Sequence, residues 1–151
     1  MIIRSSIKRK ARRKKPSDDP QRLEWLRELP CFICYQFVYR MLRKERSRAD
    51  FGTDLLEIIS SRGRQEQDSR TEAAHVGLST SRRGLKQKYP DAEAIPLCGL
   101  EHHREGRESI HKLGPDRFFD RHGVEGGRDA AIELFQWLYE VKERDDRSYE
   151  D

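Results

Sequence analysis

Apolar residues recur at helical spacing in some stretches of the chain and cluster in short runs in others. Asp18 and Asp19 before Pro20 read as a helix opening, with Leu23, Trp25, Leu26 and Leu29 as its buried stripe and Pro30 as its stop. Residues 35–41 are aromatic and β-branched enough to predict a strand, although 39–46 can also continue as helix. Residues 43–70 are dense in Arg and Glu around one apolar patch at 55–59, which reads as a helix between loops within a variable insertion. Short strands are predicted at 71–76 and 94–97, separated by a loop rich in Ser, Gly, Arg and Lys. A helix is then expected from about Cys98, carrying Glu101, His102 and His103. Another opens at Gly114-Pro115, runs through Phe118 and Phe119, and ends at Gly123. Ala131, Leu134, Phe135, Leu138 and Val141 mark a closing amphipathic helix over 127–145.

The expected fold class is therefore α+β, in one domain spanning 20–151 behind a basic, disordered tail at 1–19. Composition sharpens this picture. With 34% hydrophobic and 38% charged residues in 151, the chain is poor in core-forming side chains, so something besides burial is expected to hold it together. No apolar run approaches the ~18 residues of a membrane span. Three cysteines are too few for a disulfide framework and predict a reducing, cytoplasmic setting. The net charge of +4 is unevenly placed: residues 1–15 contain Arg4, Lys8, Arg9, Lys10, Arg12, Arg13, Lys14 and Lys15 and no acid, so the remainder is net acidic. Such an arm suits phosphate contacts, and so do Arg82, Arg83, Lys86 and Lys88 in the loop between the strands. Trp25, Trp137, Phe118 and Phe119 sit at core spacings and are not expected to stack on bases. His122, before Gly123, is expected to end a helix.

Two constellations carry candidate chemistry. Cys31-x2-Cys34 has the spacing of a zinc knuckle, and Cys98 with His102 is an i, i+4 pair on one helical face. Together they supply a tetrahedral donor set that would staple the start of the domain to its centre. His75, Asp91, His103 and His111 form the second. An imidazole free to take a proton from water, beside groups able to hold a divalent ion, is what metal-assisted phosphodiester hydrolysis requires. On one continuous helix His103 and His111 would be ~12 Å apart, so sharing an ion demands a break, which Gly106 offers.

These residues lie in the runs Cys31-Phe32-Ile33-Cys34, Ala74-His75-Val76, Lys88-Tyr89-Pro90-Asp91 and Pro96-Leu97-Cys98-Gly99-Leu100-Glu101-His102-His103. The set resembles the HNH (ββα-metal) endonucleases, in particular small phage- and prophage-type members, and Ser109–Gly114 and Phe118–Gly123 continue the likeness across roughly residues 30–125. The resemblance implies a ββα-metal core with a structural zinc site, flanking helices and metal-dependent cleavage of DNA to 5′-phosphate and 3′-hydroxyl ends. It makes His75 the general base within a catalytic set that includes Asp91 and His103. It places His103 and His111 on the catalytic ion (Mg²⁺, Mn²⁺ or a transition metal), and Cys31, Cys34, Cys98 and His102 on structural Zn²⁺.

The chain departs from the pattern in containing no Asn, so Asp91 takes the position of the middle Asn, either orienting His75 or ligating the ion. An additional residue precedes the His pair, which leaves His102 and His103 able to exchange roles. Ala74 stands where many relatives place a further metal ligand. A zinc-stapled DNA- or RNA-binding module without catalysis is the alternative expectation.

Overall fold

The computed structural model describes residues 18–45, 67, 69–81 and 88–150. Helix α1 (Pro20–Glu28) is capped by Asp19, whose carboxylate accepts the Arg22 amide at 3.1 Å, and has Pro at its first turn. Trp25, Leu26 and Leu29 enter the core, and Pro30 ends the element as its missing N–H dictates.

The strand expected at 35–41 is instead helix α2 (Gln36–Glu45). Tyr39 and Leu42 are buried, Tyr35 and Val38 pack partly against the core, and Phe37 and Met41 face outward. That i, i+3, i+4, i+7 stripe buries one helix face, whereas strand alternation would have grouped Phe37 with Tyr39. The Tyr39 hydroxyl donates to the Pro30 carbonyl at 2.7 Å and pins α2 beneath the end of α1. Residues 43–45 of the expected insertion belong to this helix; most of the remainder, including the patch at 55–59, lies outside the described residues.

Strands β1 (Thr71–His75) and β2 (Ala94–Cys98) pair antiparallel, with Thr71 opposite Cys98, Glu72 opposite Leu97 and His75 opposite Ala94. All of β2 is buried. Pro96 is tolerated there because its peptide groups point away from β1; its carbonyl accepts the Phe32 amide at 2.8 Å and draws the Cys31–Cys34 turn against the sheet. After β2 the chain forms a π-helical turn (Gly99–Arg104), which replaces the expected regular helix. Gly106 donates to the Leu100 carbonyl at 2.7 Å, and an added Cβ would lie 2.2 Å from the Glu101 carbonyl oxygen, so only glycine closes this turn.

Short helices α3 (Ile110–Leu113) and α4 (Pro115–Arg121) follow, and α5 (Gly127–Ser148) closes the domain, beginning where expected and running slightly further. Phe135 of α5 meets Phe32 and Tyr39 edge-on at 5.7 and 5.1 Å, and Trp25 packs on Tyr139 at 5.1 Å. Phe118 and Phe119 are buried and Trp137 half-buried, all as core residues. The architecture is α+β: a two-stranded sheet among helices. Among the described residues no helix is long and apolar enough to cross a membrane.

Candidate metal centre and histidine pairs

Three elements bring four donors together. The Tyr35 amide bonds to the Cys31 carbonyl at 3.1 Å and closes the turn that presents Cys31 and Cys34. Gln67 accepts the Cys31 amide at 2.9 Å and donates to Ser69 and Thr71, tying the turn to the start of β1. Cys98 ends β2, and the π-helical turn returns His102 to it.

The His102 Nδ1 lies 3.5 Å from the Sγ of Cys31, 3.5 Å from that of Cys34 and 3.0 Å from that of Cys98, and Cys34 and Cys98 are 3.9 Å apart at sulfur. A tetrahedral Zn²⁺ with its usual bond lengths needs S···N edges of about 3.5 Å and S···S edges of about 3.8 Å. Of these four edges three fit and the Cys98–His102 edge is short, and all the donor atoms lie within 4.8 Å of one another.

The same contacts set the protonation of these groups. Burial alone would lower the His102 imidazolium, but contacts with the Cys31 and Cys98 sulfurs prevail and push it up to about 10. Hydrogen bonds from Cys31, Cys34 and His102 hold the Cys98 thiol down, while bonding to Cys31 and Cys98 drives Cys34 up. Cys31, Cys34, Cys98 and His102 can thus bind a metal such as zinc, and among the described residues they are the one set of three or more donors drawn within 4.8 Å. His122 caps the end of α4, as expected, donating to the Glu108 carbonyl at 2.8 Å. It also lies edge-on to His102 at 5.3 Å, a contact that sequence reasoning missed because nothing local links the two.

A second group forms at the other end of β1. His75 Nε2 meets the Asp91 carboxylate at 2.7 Å. The second Asp91 oxygen accepts the Asp19 amide at 2.7 Å, and Lys88 approaches the first at 3.2 Å. Burial would raise the Asp91 carboxyl, but the Asp19 amide, His75 and Lys88 together hold it below its ordinary value. Asp91 thus faces His75 Nε2, which leaves Nδ1 as the ring nitrogen not facing it. Lys88, expected at phosphate, is also 3.8 Å from Asp18. Buried Glu93 holds the exit from β1, accepting the Leu78 amide at 2.7 Å and the Ser81 hydroxyl.

The third group is His103 with His111. The break at Gly106 brings their rings to 4.7 Å. Glu72, absent from the sequence expectation, accepts from His103 Nδ1 at 2.9 Å and from Arg104 at 2.8 Å. Desolvation and neighbouring His111 lower the His103 imidazolium against the pull of Glu72. Because Glu72 and His75 are three residues apart on β1, their Cα atoms stand about 10 Å apart, and the two histidine groups occupy different ends of the strand. Lys8, Arg9, Lys10, Arg12, Arg13, Lys14, Lys15, Arg82, Arg83 and Lys86, the other expected nucleic-acid contacts, lie outside the described residues. Compared with protein-family models, curated proteins and solved structures, the chain matches none.

Proposed function

We propose that this chain is a metal-dependent endonuclease of the HNH type that hydrolyses DNA phosphodiester bonds around a zinc-stapled ββα core. The observation that carries this reading is the pair His75–Asp91: a histidine at the end of a strand, held by a carboxylate that is only 2% exposed. An imidazole so fixed keeps one nitrogen on its carboxylate and offers the other to a water molecule, the arrangement of an oriented general base.

In this reading Asp91 selects the tautomer, neutral His75 accepts the proton of the attacking water at Nδ1, and the Cys3His centre keeps β2 and the π-helical turn in place. His103 and His111 are the side chains that would hold a divalent ion, which when bound supplies charge stabilisation for the leaving 3′-oxygen. The N-terminal basic run would hold the flanking backbone through its phosphates. A second reading, a zinc-stapled nucleic-acid-binding module without catalysis, is favoured by the separation along β1 between His75 and the Glu72–His103 contact.

Incubating supercoiled plasmid with Mg²⁺ or Mn²⁺ and either the wild type or His75→Ala tests both, with bound metal measured in each protein. Cutting by the wild type and none by a metal-loaded variant supports the nuclease. DNA binding without cutting by either supports the module, and equal cutting by both removes His75 from the reaction. A parallel incubation with single-stranded RNA separates the two substrate classes.

A further inference from the structure

Between α2 and the start of α5 lies a cavity of about 320 Å³ that the chemistry above does not use. Its floor is apolar, formed by Phe32, Val124, Ala131 and Leu134, and its mouth carries Arg40, Arg43 and Lys44 against the single carboxylate of Glu125. The three cations stand at i, i+3 and i+4 on one face of α2, where like charges repel. Among the described residues no carboxylate forms an ion pair with any of them. Arg43 instead donates to the Glu125 backbone carbonyl at 2.7 Å, a contact that holds its guanidinium beside the cavity without a carboxylate partner among the described residues.

Arg43 Nη2 also lies beside Gly126, whose φ of +79° and closeness to Ala130, 2.6 Å from an added Cβ, require glycine. An apolar recess at the small end of ligand-pocket volumes, with three cations at its mouth that no carboxylate of the described residues pairs with, is complementary to one chemistry: an anion attached to an apolar body.

We propose that this cavity binds a phosphate ester of about nucleoside monophosphate size, its phosphate on Arg40, Arg43 and Lys44 and its planar body against Phe32 and Leu134. The ester can be a free nucleotide or one nucleotide of a DNA strand. The cavity is linked to the four-donor cluster through Phe32, which lines it and lies between Cys31 and Cys34 in the chain. It is independent of the nuclease reading, because occupancy requires no cleavage.

Calorimetric titration of the full-length, metal-loaded chain with dAMP, a thymidine octanucleotide and inorganic phosphate, without added Mg²⁺ or Mn²⁺, tests it. The double variant Arg40→Ala/Lys44→Ala removes charge, and Ala130→Leu fills the recess; metal content and thermal unfolding report that each is folded. The expected result is binding of dAMP or the octanucleotide that each variant weakens at least about tenfold, with inorganic phosphate weaker than either by a similar factor. Binding of dAMP alone identifies a free nucleotide as ligand, and binding of the octanucleotide alone identifies a strand. The proposal is overturned if neither binds, if binding survives both variants, or if inorganic phosphate binds as tightly as dAMP.

Discussion

Removing the ion from the Cys3His centre is expected to cost the fold about 4 kcal/mol. The centre ties the Cys31–Cys34 turn to the end of β2 and the turn that follows, and the shortest loop it closes between these halves runs from Cys34 to Cys98, a separation of 64 residues. Treated as a cross-link, closing a loop of that length removes roughly 4 kcal/mol of chain entropy from the unfolded state. Domains are stable by only about 5–15 kcal/mol in total, so a chain with few apolar residues would lose a large share of its margin. At this size each kcal/mol moves the midpoint by about 2–4 °C, which gives a fall on the order of 10 °C.

The assay is thermal unfolding followed by circular dichroism, before and after chelation, with metal content measured on the same samples. Cys98→Ser, at a fully buried ligand, should reproduce the chelated protein, while Cys34→Ser, at the exposed ligand, should lower the midpoint less. Falling pH should act like chelation, because protons displace the ion from thiolate and imidazole. A metal-free sample that melts within about two degrees of the loaded one would refute the argument and reduce the cluster to a hydrogen-bonded thiol network.

Asp91→Asn should destabilise the protein by about 2 kcal/mol at pH 7, the usual worth of hydrogen bonds to a buried charged group. The Asp91 carboxyl is held below its ordinary value, so its contribution is complete at neutral pH and lost as pH falls through the folded-state pKa. Denaturant curves of variant and wild type should therefore converge in acid; a gap that persists there would show that charge is not the cause. Gly106→Ala forces a Cβ against the Glu101 carbonyl and should cost about 3 kcal/mol, with separation of the His103 and His111 resonances from their mutual ring-current positions by NMR. Glu72→Gln removes the carboxylate that raises His103 and should lower the imidazole pKa measured by NMR titration; an unchanged value would mean that the contact is not formed in solution.

Much of the fold was legible because its signals are local. The cap at Asp19, the stops at Pro30 and Gly123, the two strands and the stripe of α5 each rest on neighbouring residues. The four donors of the cluster were legible from the Cys-x2-Cys spacing and the nearness of His102 to Cys98, but the helical face expected to join that second pair is replaced by the end of β2 and a π-helical turn. The strand reading at 35–41 failed because aromatic and β-branched content outweighed period: the apolar positions 35, 38, 39 and 42 fit a helix face better than alternation. Glu72, Glu93 and Gly126 were invisible for a different reason. Their roles depend on residues 12 or more positions away, or on a guanidinium arriving from another helix, and no spacing rule encodes such encounters.

The same distinction bears on how the two histidine groups can cooperate. His75 is held from the α1 side, through Asp91 and the Asp19 amide, whereas His103 is held from β1 through Glu72 and reaches His111 only by way of the Gly106 break. β1 carries both attachments, and its partner β2 ends in Cys98, one of the four clustered donors. An ion at the Cys3His centre therefore fixes the end of the sheet nearest His103 most directly and the end at His75 only through five paired residues. Chelation should therefore shift the His103 and His111 resonances further than those of His75. A larger change at His75 would mean that α1 and Asp91 transmit more of the metal's constraint than the sheet does.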